Sequence, residues 1–383
     1  MNALSIFEKI DSLNEKYLDV WEDVCNIESP SNYKEGVDAV GNYFCALAKE
    51  QGWKIEKYPQ ERFGDVVCIT MNPDSKECPV VLSGHMDTVH PIGFFGNPPS
   101  RREGDRLIAP GAVDCKGGVV AGFLAMQAIA ECGYRDRPIM MLLQSNEEVG
   151  SGLNNKDTIN YMCEKSKNAV AFLNLEGSER GKICIERKGI AGFTLHVFGV
   201  AAHSSLCAVK GSNAIAEAAH KIIELEKIKD KERLTFSCNV VQGGVTRNTV
   251  PHCCDVLVDV RFKTQKDLDD AKEIIERIAA HTTVEGCSCN FEMTNLRPAM
   301  ELCDRNVELF DRINAIFKEN GLPGLETVIG LGGSDAADVT VYGIPCVDSI
   351  GVEGSGIHTK DEYGILSSLS RSAKQLAAIA VSL

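Results

Sequence analysis

An almost uninterrupted apolar run at residues 138–145 (PIMMLLQS) constrains this chain more than any other feature of its sequence. Apolar residues on both faces of a strand are typical of the centre of a sheet that is covered on both sides. A second such run covers residues 169–175 (AVAFLNL), and Val66–Met71 and residues 80–83 are shorter strand candidates. The Ala-rich segment 117–132 predicts a helix between the strands. Strands separated by helices indicate an α/β fold with a layered, mostly parallel sheet.

The pattern of the sequence changes near Lys188. Residues 190–200 alternate between apolar and polar, as a half-exposed strand does. The next segments predict a helix at 212–227, strands at 235–242 and 253–263, a helix at 268–282 and a strand at 288–293. This order of strand, helix, two strands, helix and strand is ferredoxin-like.

After Arg297 the α/β pattern returns, with a helix at 306–320, a strand near 346–350 and a C-terminal helix from Ser367. We therefore expect one α/β domain, residues 1–187 and 298–383, that is split by an inserted ferredoxin-like α+β lid and dimerisation domain, residues 188–297.

The composition excludes several classes of partner. The formal net charge is −14 and the pI about 5.1, whereas nucleic acids and anionic membranes bind basic surfaces. The chain has no uncharged apolar run of about 18 residues, the length that a membrane-spanning helix needs. Its N-terminus reads as an acidic amphipathic helix without the features of a signal peptide. We expect a cytoplasmic protein that binds neither nucleic acid nor membrane.

The 16 cysteines are expected to be reduced thiols, because no export signal precedes them. The sequence has no CxxC pair, and Cys253-Cys254 and Cys287-x-Cys289 have no partners at zinc-finger spacing. Most of these cysteines are therefore interpreted as small apolar core residues.

Two motifs combine a metal-ligand residue with a turn. His85 and Asp87 (GHMD) follow a strand and point the same way at its C-terminal end, where open α/β sheets place their sites. Asp87 can hold the second nitrogen of a metal-binding imidazole, although a simple His–Asp hydrogen bond would have the same sequence. Asp114 precedes the glycine pair Gly117-Gly118. It is interpreted either as a helix cap or as a carboxylate that bridges two cations.

Three further candidate sites end apolar strands or lie in a Gly-rich loop. Glu147 and Glu148 follow the run 138–145, and because adjacent side chains diverge, one can bind metal while the other acts as a general base. Glu176 ends the second run, and His358 lies in the loop GIHT. Surface Glu pairs and loop histidines are common without function. The joint occurrence of two imidazoles and three carboxylates nevertheless predicts N and O ligands for two metal ions, which together activate water.

Ten short motifs resemble, in the same order, those of a family of hydrolases that use two zinc ions. They span about residues 60–365 and read GHMDTVHP, GAVDCKGG, SNEEVGS, LEGSE, GVAAHSS, GGVTRNTVP, DVRF, NLRPAM, GLGGSDAAD and GSGIHTKDEY. The family includes carboxypeptidase G, aminoacylase, acetylornithine deacetylase and succinyl-diaminopimelate desuccinylase. The segments GGSDAA and RPAM make the chain most similar to the carboxypeptidase G-like members.

This resemblance implies a role for each candidate ligand. Asp114 would bridge the two metal ions. His85 and Glu176 would complete one site, and Glu148 and His358 would complete the other. The ions implied are Zn²⁺, with Co²⁺ or Mn²⁺ as alternatives.

The resemblance also implies roles for the neighbouring residues. Glu147 would be the general base, and Asp87 would orient the first histidine. The peptide between Asp114 and Cys115 is expected to be cis. Cys115 stands where relatives often carry Met or Asp, and Asn146 where many carry an acid, but neither difference removes a ligand.

In the inserted domain, the resemblance implies that His203 reaches the active site of the partner subunit in a homodimer and stabilises the oxyanion. Asn248, Arg261, Arg297 and Gly333 resemble positions that bind the substrate carboxylate or the scissile carbonyl. Arginine suits a carboxylate because its planar fork donates two parallel hydrogen bonds. For Arg261, at a strand end, a structural salt bridge is an open alternative.

Taken with the resemblance, the sequence predicts a hydrolase that cleaves amide bonds of small peptides or N-acyl amino acids next to a free carboxylate. In the family, Glu at position 176 accompanies this activity, whereas Asp accompanies aminopeptidases. The alternatives are a biosynthetic deacylase of the acetylornithine or succinyl-diaminopimelate type, an aminopeptidase, or a binding protein that kept the fold. The complete ligand set and Glu147 argue against the last.

Overall fold

The structure of the chain is a computed structural model that describes residues 3–150 and 155–383. Contacts group the chain into a first unit, Met1–Ile185 with Leu302–Ile329 and Ser334–Leu383, and an inserted unit, Glu186–Glu301 with Gly330–Gly333. The limits that the sequence predicts for the insert, 188–297, remain a prediction. Met1 and Asn2 of the expected N-terminal helix and Ser151 of the motif SNEEVGS lie outside the described residues.

The α-helices of the described chain are α1 (Ala3–Cys25), α2 (Lys34–Glu50), α3 (Lys116–Glu131), α4 (Asp157–Ser166), α5 (Ala214–Glu226), α6 (Gln265–Ala280), α7 (Asp304–Glu319), α8 (Asp335–Val341) and α9 (Ser368–Ser382). The strands are β1 (Lys54–Tyr58), β2 (Val66–Met71), β3 (Val80–His85), β4 (Arg101–Glu103), β5 (Arg106–Ile108), β6 (Ile139–Gln144), β7 (Ala171–Asn174), β8 (Lys182–Arg187), β9 (Gly189–Phe198), β10 (Ala202–His203), β11 (Lys229–Asp230), β12 (Leu234–Gly243), β13 (Thr249–Val250), β14 (Cys253–Phe262), β15 (Ser288–Arg297), β16 (Glu326–Gly330), β17 (Cys346–Val347), β18 (Gly354–Ser355) and β19 (Tyr363–Ile365).

The first unit is built on a six-stranded sheet with the order β1-β2-β6-β3-β7-β17. The last four strands of this order are parallel, and β1 and β2 form an antiparallel edge. Strands β2 and β3 are buried at every position, as expected for strands covered on both faces. Helix α3 is buried almost throughout and packs against α1, α9 and the sheet, which explains its small, apolar residues. The predicted α/β fold is confirmed.

The inserted unit has a five-stranded antiparallel sheet with the order β11-β12-β14-β9-β15. Helices α5 and α6 pack against this sheet. The predicted strand–helix–strand–strand–helix–strand order is present as β9, α5, β12, β14, α6 and β15. Along β9, the alternate residues Ala191, Phe193, Leu195 and Val197 are buried in the core of this unit, which is the period-two pattern read from the sequence.

The sequence does not predict helix α2, which contains two glycines, residues of low helix propensity. Packing requires glycine at position 36 and favours it at position 41. A Cβ at Gly36 would lie 2.2 Å from the carbonyl oxygen of Glu28, and one at Gly41 would lie 3.1 Å from the sulfur of Met86. Tertiary contacts thus override the local propensity in this segment.

The strand predicted near residues 346–350 is shorter, since β17 ends at Val347. Ser349 has a φ of 61°, a left-handed conformation that does not continue a strand. The buried carboxylate of Asp348 accepts hydrogen bonds from the side chain of Asn174 at 3.0 Å and from the backbone N–H of Ser349 at 2.6 Å. The backbone of Asp348 pairs instead with that of Cys184, through hydrogen bonds of 2.8 and 2.9 Å.

All 16 cysteines lie within the described residues and are free, and eight of them are buried. This burial fits their interpretation as small apolar residues of the core. No helix in residues 3–150 and 155–383 is long and apolar enough to cross a membrane. The cytoplasmic location remains a prediction.

Candidate metal centre

Three candidate ligands and the candidate base lie where the parallel strands end. His85 is the last residue of β3, Glu147 and Glu148 follow β6, and Glu176 lies two residues beyond β7. These three strands are neighbours and run in the same direction. Their carboxyl ends therefore deliver the side chains to one edge of the sheet.

Both carboxylate oxygens of Asp114 contact an imidazole, and the two imidazoles belong to different residues. Oδ1 lies 3.0 Å from Nε2 of His85, and Oδ2 lies 3.3 Å from Nε2 of His358. His85 Nε2 is also 3.7 Å from an oxygen of Glu176, and His358 Nε2 is 3.1 Å from an oxygen of Glu148. The structure thus brings all five predicted ligands together in two groups that share Asp114.

In two sets of residues, the possible ligand atoms all lie within 4.8 Å of one another. One set is His85, Asp114 and Glu148, and the other is His85, Cys115 and Glu176. The first set contains His85 from one expected metal site and Glu148 from the other, so the two sites form one cluster. The chemistry of the donors, two imidazoles and three carboxylates, fits divalent cations that prefer nitrogen and oxygen ligands.

Close packing of a glycine pair places Asp114 beside Glu176. A Cβ at Gly118 would lie 1.9 Å from the carbonyl oxygen of Leu175, and one at Gly117 would lie 2.4 Å from that of Ala112. Only glycine allows the start of α3 to approach this closely.

Asp114 is not the cap of helix α3. The cap residue is Cys115, whose side chain makes no capping hydrogen bond. The Asp114 carboxylate therefore remains directed at the imidazoles. The peptide bond between Asp114 and Cys115 is cis, as expected from the resemblance.

Asp87 is completely buried and contacts both the first histidine and the turn after β6. Nδ1 of His85 donates to the backbone oxygen of Asp87 at 2.9 Å, and one Asp87 carboxylate oxygen lies 3.4 Å from the same nitrogen. Because a carbonyl oxygen can only accept, Nδ1 carries a hydrogen, and in the neutral ring Nε2 has the lone pair that a metal ligand needs.

The carboxylate of Asp87 also accepts the backbone N–H groups of Glu147 at 3.1 Å and Glu148 at 3.2 Å. It thereby anchors the short 3₁₀ helix Glu147–Val149. Ser31 donates its hydroxyl to the same carboxylate at 2.6 Å. Ser31 was not predicted, because a serine in a loop gives no sequence signal of such a contact.

Burial raises the pKa values of two acids of this cluster, whereas hydrogen bonds lower that of the third. Burial raises the pKa of Glu148 to about 7, although its hydrogen bond with His358 opposes the shift. Burial also raises the pKa of Glu176 well above its usual range. For Asp114, hydrogen bonds with both histidines outweigh burial and lower the pKa. The shared carboxylate is thus the most strongly ionised member of the cluster.

The two histidines are protonated more readily than usual. Burial alone would lower the pKa of His85, but the surrounding acidic groups outweigh it and raise that pKa well above its ordinary value. Hydrogen bonds with Asp114 and Glu148 raise the pKa of His358 to about 10. The cluster therefore attracts positive charge to the positions between its carboxylates.

The two residues that depart from the family pattern have structural contacts. The Cys115 sulfur accepts the backbone N–H of His85 at 3.0 Å, and burial raises the pKa of the thiol to about 12. The buried Asn146 accepts a hydrogen bond from the hydroxyl of Thr158 at 2.8 Å. Cys115 therefore supports the backbone of a candidate ligand, while Asn146 connects the turn after β6 to helix α4.

In the inserted unit, His203 and Asn248 are neighbours. His203 pairs with Thr249 between β10 and β13, is exposed, and contacts the hydroxyl of Ser205 through Nδ1 at 2.8 Å. The side-chain oxygen of Asn248 accepts a hydrogen bond from Thr246 at 2.9 Å.

The predicted arginines of the inserted unit have different environments. Arg261 forms two contacts with the carboxylate of Asp259, at 2.7 and 3.2 Å, which favours the structural alternative for this residue. Arg297 is 7% exposed and packs against Gly333, where an added Cβ would lie 2.7 Å from its Cδ. Gly333 thus has a packing role toward Arg297. The predicted roles of these residues in binding substrate remain predictions.

Comparison with known proteins supports the class predicted from the sequence, a metal-dependent hydrolase. Residues 185–287 match the peptidase dimerisation domain, and residues 66–205 match peptidase family M28. Carboxypeptidase G2 from Pseudomonas sp. (strain RS-16) is 31% identical over 359 residues, which cover 91% of this chain and 85% of that protein. A putative succinyl-diaminopimelate desuccinylase from Mycobacterium tuberculosis (strain ATCC 25618 / H37Rv) is 30% identical over 56% of this chain and 60% of its own length.

Solved structures with low sequence identity share the fold. The M20 family metallo-carboxypeptidase Sso-CP2 from Sulfolobus solfataricus has a TM-score of 0.73 at 18% identity, covering 95% of this chain and 98% of its own. A Bacillus subtilis dinuclear metal binding peptidase from the M20 family has a TM-score of 0.72 at 15% identity, with coverages of 97% and 98%.

The fold and the sequence similarity define a metal-dependent hydrolase that acts on peptides or acyl amino acids. The chain belongs to the M20 family of metallopeptidases, together with carboxypeptidase G2. The family and the general activity predicted from the ten motifs are confirmed.

The glycine contact beside Asp114 leads to a stability prediction. Gly118→Ala should lower the free energy of unfolding by about 3 kcal/mol, the upper part of the usual range for overpacking, because the new methyl group meets a backbone oxygen. The measurement is urea unfolding of the metal-free protein. The matched control is Gly324→Ala, whose Cβ would have only the side-chain oxygen of Asn314 within 4 Å, at 3.4 Å. Equal unfolding free energies for the two variants would contradict the packing argument.

Proposed function

We propose that this enzyme uses two divalent metal ions to cleave the amide bond of a small peptide or N-acyl amino acid next to a free carboxylate. The observation that carries the proposal is the position of Asp114, whose two oxygens face His85 and His358, respectively. A carboxylate placed in this way can bind one cation through each oxygen. The carboxypeptidase name of the relative that is similar over most of the chain supports the choice of substrate.

The proposed ligands are His85 and Glu176 for one ion, Glu148 and His358 for the other, and Asp114 for both. The ions proposed are Zn²⁺, with Co²⁺ or Mn²⁺ as alternatives. Three partly buried carboxylates in one cluster repel each other, which is part of the reason that the pKa values of Glu148 and Glu176 are raised. Positive charge between them would relieve this repulsion.

Two divalent cations held there would polarise the scissile carbonyl and lower the pKa of the attacking water. Glu147 is the proposed general base, which accepts the proton of that water and passes it to the leaving amine. The first residue of the 3₁₀ helix after β6 is Glu147, and its backbone N–H is held by Asp87 at 3.1 Å. Asp87 therefore positions the base and the first histidine together.

The adjacent acids after β6 provide the first functional prediction. Glu147→Gln should lower turnover about 10²–10⁴-fold, the usual effect of losing a general base, and should leave the metal content near two ions per chain. Glu148→Gln should lose metal, because it removes a ligand. The measurements are elemental analysis and hydrolysis of N-acyl amino acids.

The two glutamates serve as controls for each other, because the substitution is the same at neighbouring positions. Exchanged phenotypes would contradict the assignment of base and ligand. A fully active wild-type protein that saturates at one metal per chain would refute the two-metal function.

The proposed binding site for the substrate carboxylate is Arg297, with help from Asn248. Gly333 lies beside the arginine. Arg261 is a weaker candidate, since its guanidinium is already paired with Asp259.

Amidation of the substrate carboxylate tests this proposal. The amide should raise KM by at least about tenfold, because the charge-assisted hydrogen bonds of a carboxylate with arginine are worth roughly 1.5–3 kcal/mol. The measurement compares kcat and KM for an N-acyl amino acid and its amide. Equal turnover of both substrates would favour an aminopeptidase. Preferred hydrolysis of N-acetyl or N-succinyl substrates with a free amine would favour the deacylase alternative, which the similarity to the desuccinylase supports.

A homodimer through the inserted unit is also proposed. Residues 185–287 match a peptidase dimerisation domain. Strand β12 pairs with β11 only at its first two residues, so in the described chain no strand lies beside the rest of that edge. Val240 and Val241 on this strand are exposed. An unpaired edge with exposed apolar residues is suited to pairing with a second copy.

In this dimer, His203 would act in the active site of the partner subunit as a donor to the oxyanion. Mixing His203→Ala chains with Glu147→Gln chains tests the arrangement, because one site of the mixed dimer would contain both intact residues. Activity should recover to a substantial fraction of the wild-type value after subunit exchange, since a single oxyanion donor contributes about 10²–10³-fold in kcat. Heterodimers without recovered activity would contradict a role for His203 across the interface.

A further inference from the structure

A buried carboxylate that is not among the proposed ligands, Glu362, contacts the backbone at Asp114. Glu362 is 1% exposed and precedes strand β19. Its Oε1 accepts the backbone N–H groups of Val113 at 3.1 Å and of Asp114 at 3.2 Å. The Glu362 carboxylate therefore holds the backbone on the N-terminal side of the Asp114 side chain, which contacts both His85 and His358.

The second oxygen of Glu362 is held by His90. The two groups are 3.0 Å apart, and an ionised carboxylate can only accept, so Nε2 of His90 donates. The His90 ring is 5% exposed, is stacked on Phe94 with ring centroids 5.5 Å apart, and meets Phe95 edge-on at 4.9 Å. The aromatic contacts fix the ring, and the ring in turn fixes the carboxylate.

The backbone of Glu362 connects the two loops that carry candidate ligands. Its N–H donates to Thr359, one residue after His358, at 3.3 Å, and its carbonyl oxygen accepts the N–H of Ala109 at 3.3 Å. The next residues pair with β5 as strand β19. The loop of His358 and the turn that ends at Asp114 are thus joined through this single residue.

We propose that Glu362, held by His90, is a positioning residue that sets the direction of the Asp114 carboxylate. The inference rests on the proposed two-metal function. A carboxylate that contacts two imidazoles has little rotational freedom, because a turn toward one of them lengthens the contact with the other. Both Glu362 oxygens are buried and occupied by hydrogen bonds, so Glu362 acts through the backbone of Asp114 and neither as ligand nor as base. Partners of this kind usually change metal affinity by 10–100-fold.

The chain contains a matched control in the inserted unit. Glu217 is also 1% exposed. One of its oxygens accepts two consecutive backbone N–H groups, those of Thr283 at 3.0 Å and Val284 at 2.7 Å, and the other lies 2.9 Å from Nζ of Lys221. Each glutamate thus binds two consecutive backbone N–H groups through one oxygen, but only Glu362 contacts the backbone of a proposed ligand.

The experiment compares Glu362→Ala, Glu362→Gln, Glu217→Ala and Glu217→Gln with the wild-type protein. Co²⁺ affinity is measured by competition with a chromophoric chelator, the Co²⁺ geometry by visible absorption, and the stability of the metal-free protein by urea unfolding. Glu362→Ala should weaken Co²⁺ binding about 10–100-fold and change the absorption spectrum. Glu362→Gln should recover most of the affinity, because its amide oxygen can accept the same two N–H groups. Glu217→Ala should lower stability and leave Co²⁺ affinity within about twofold of wild type, since it contacts no ligand.

Three results would overturn the inference: Co²⁺ affinity of Glu362→Ala within about twofold of wild type, an equal loss in Glu217→Ala, or no recovery in Glu362→Gln. If Glu362→Ala does not fold, His90→Leu decides, because leucine has no donor for the carboxylate of Glu362. A loss of Co²⁺ affinity of about threefold or more supports the inference, and unchanged affinity overturns it. A wild-type protein that does not bind two Co²⁺ ions would refute the two-metal function itself, which is a separate result.

Discussion

The arrangement of the first unit depends on the contact of one partly buried carboxylate with two imidazoles. Asp114 lies 3.0 Å from His85 and 3.3 Å from His358, and a carboxylate that is largely removed from water must be compensated by such partners. This position requires the start of α3 to approach the end of β7, which only the small residue Gly118 permits. The nearly complete burial of α3 then follows from placing its first turn deep in the unit.

Two buried acids accept hydrogen bonds from the backbone segments that carry candidate ligands and the candidate base. Asp87 accepts the N–H groups of Glu147 and Glu148, and Glu362 accepts those of Val113 and Asp114. A backbone held in this way leaves the next side chain with few orientations. Such preorganisation is valuable where a ligand or a base must be placed within a fraction of an ångström.

The inserted unit has its own core and its own set of functional candidates. Helices α5 and α6 pack on its sheet, and the ladder of β10 and β13 brings His203 next to Asn248. Arg261 and Arg297 lie in consecutive motifs, DVRF and NLRPAM. Their environments differ, because Arg261 forms an ion pair with Asp259. This difference separates a candidate for substrate binding from a structural ion pair, a distinction that the sequence motif DVRF leaves open.

The sequence by itself determined the central strands of the first unit, the order of elements in the inserted unit, the family and the chemical types of the candidate ligands, because apolar periodicity and short motifs are local features. The tertiary structure decided which of these residues meet. It placed Asp114 between two histidines that lie 273 positions apart in number, His85 and His358, and it revealed Ser31, His90 and Glu362 as partners. Hydrogen bonds of this kind join distant segments and leave no periodic trace in the sequence, and the close packing around the glycines of α2 is likewise visible only in the structure.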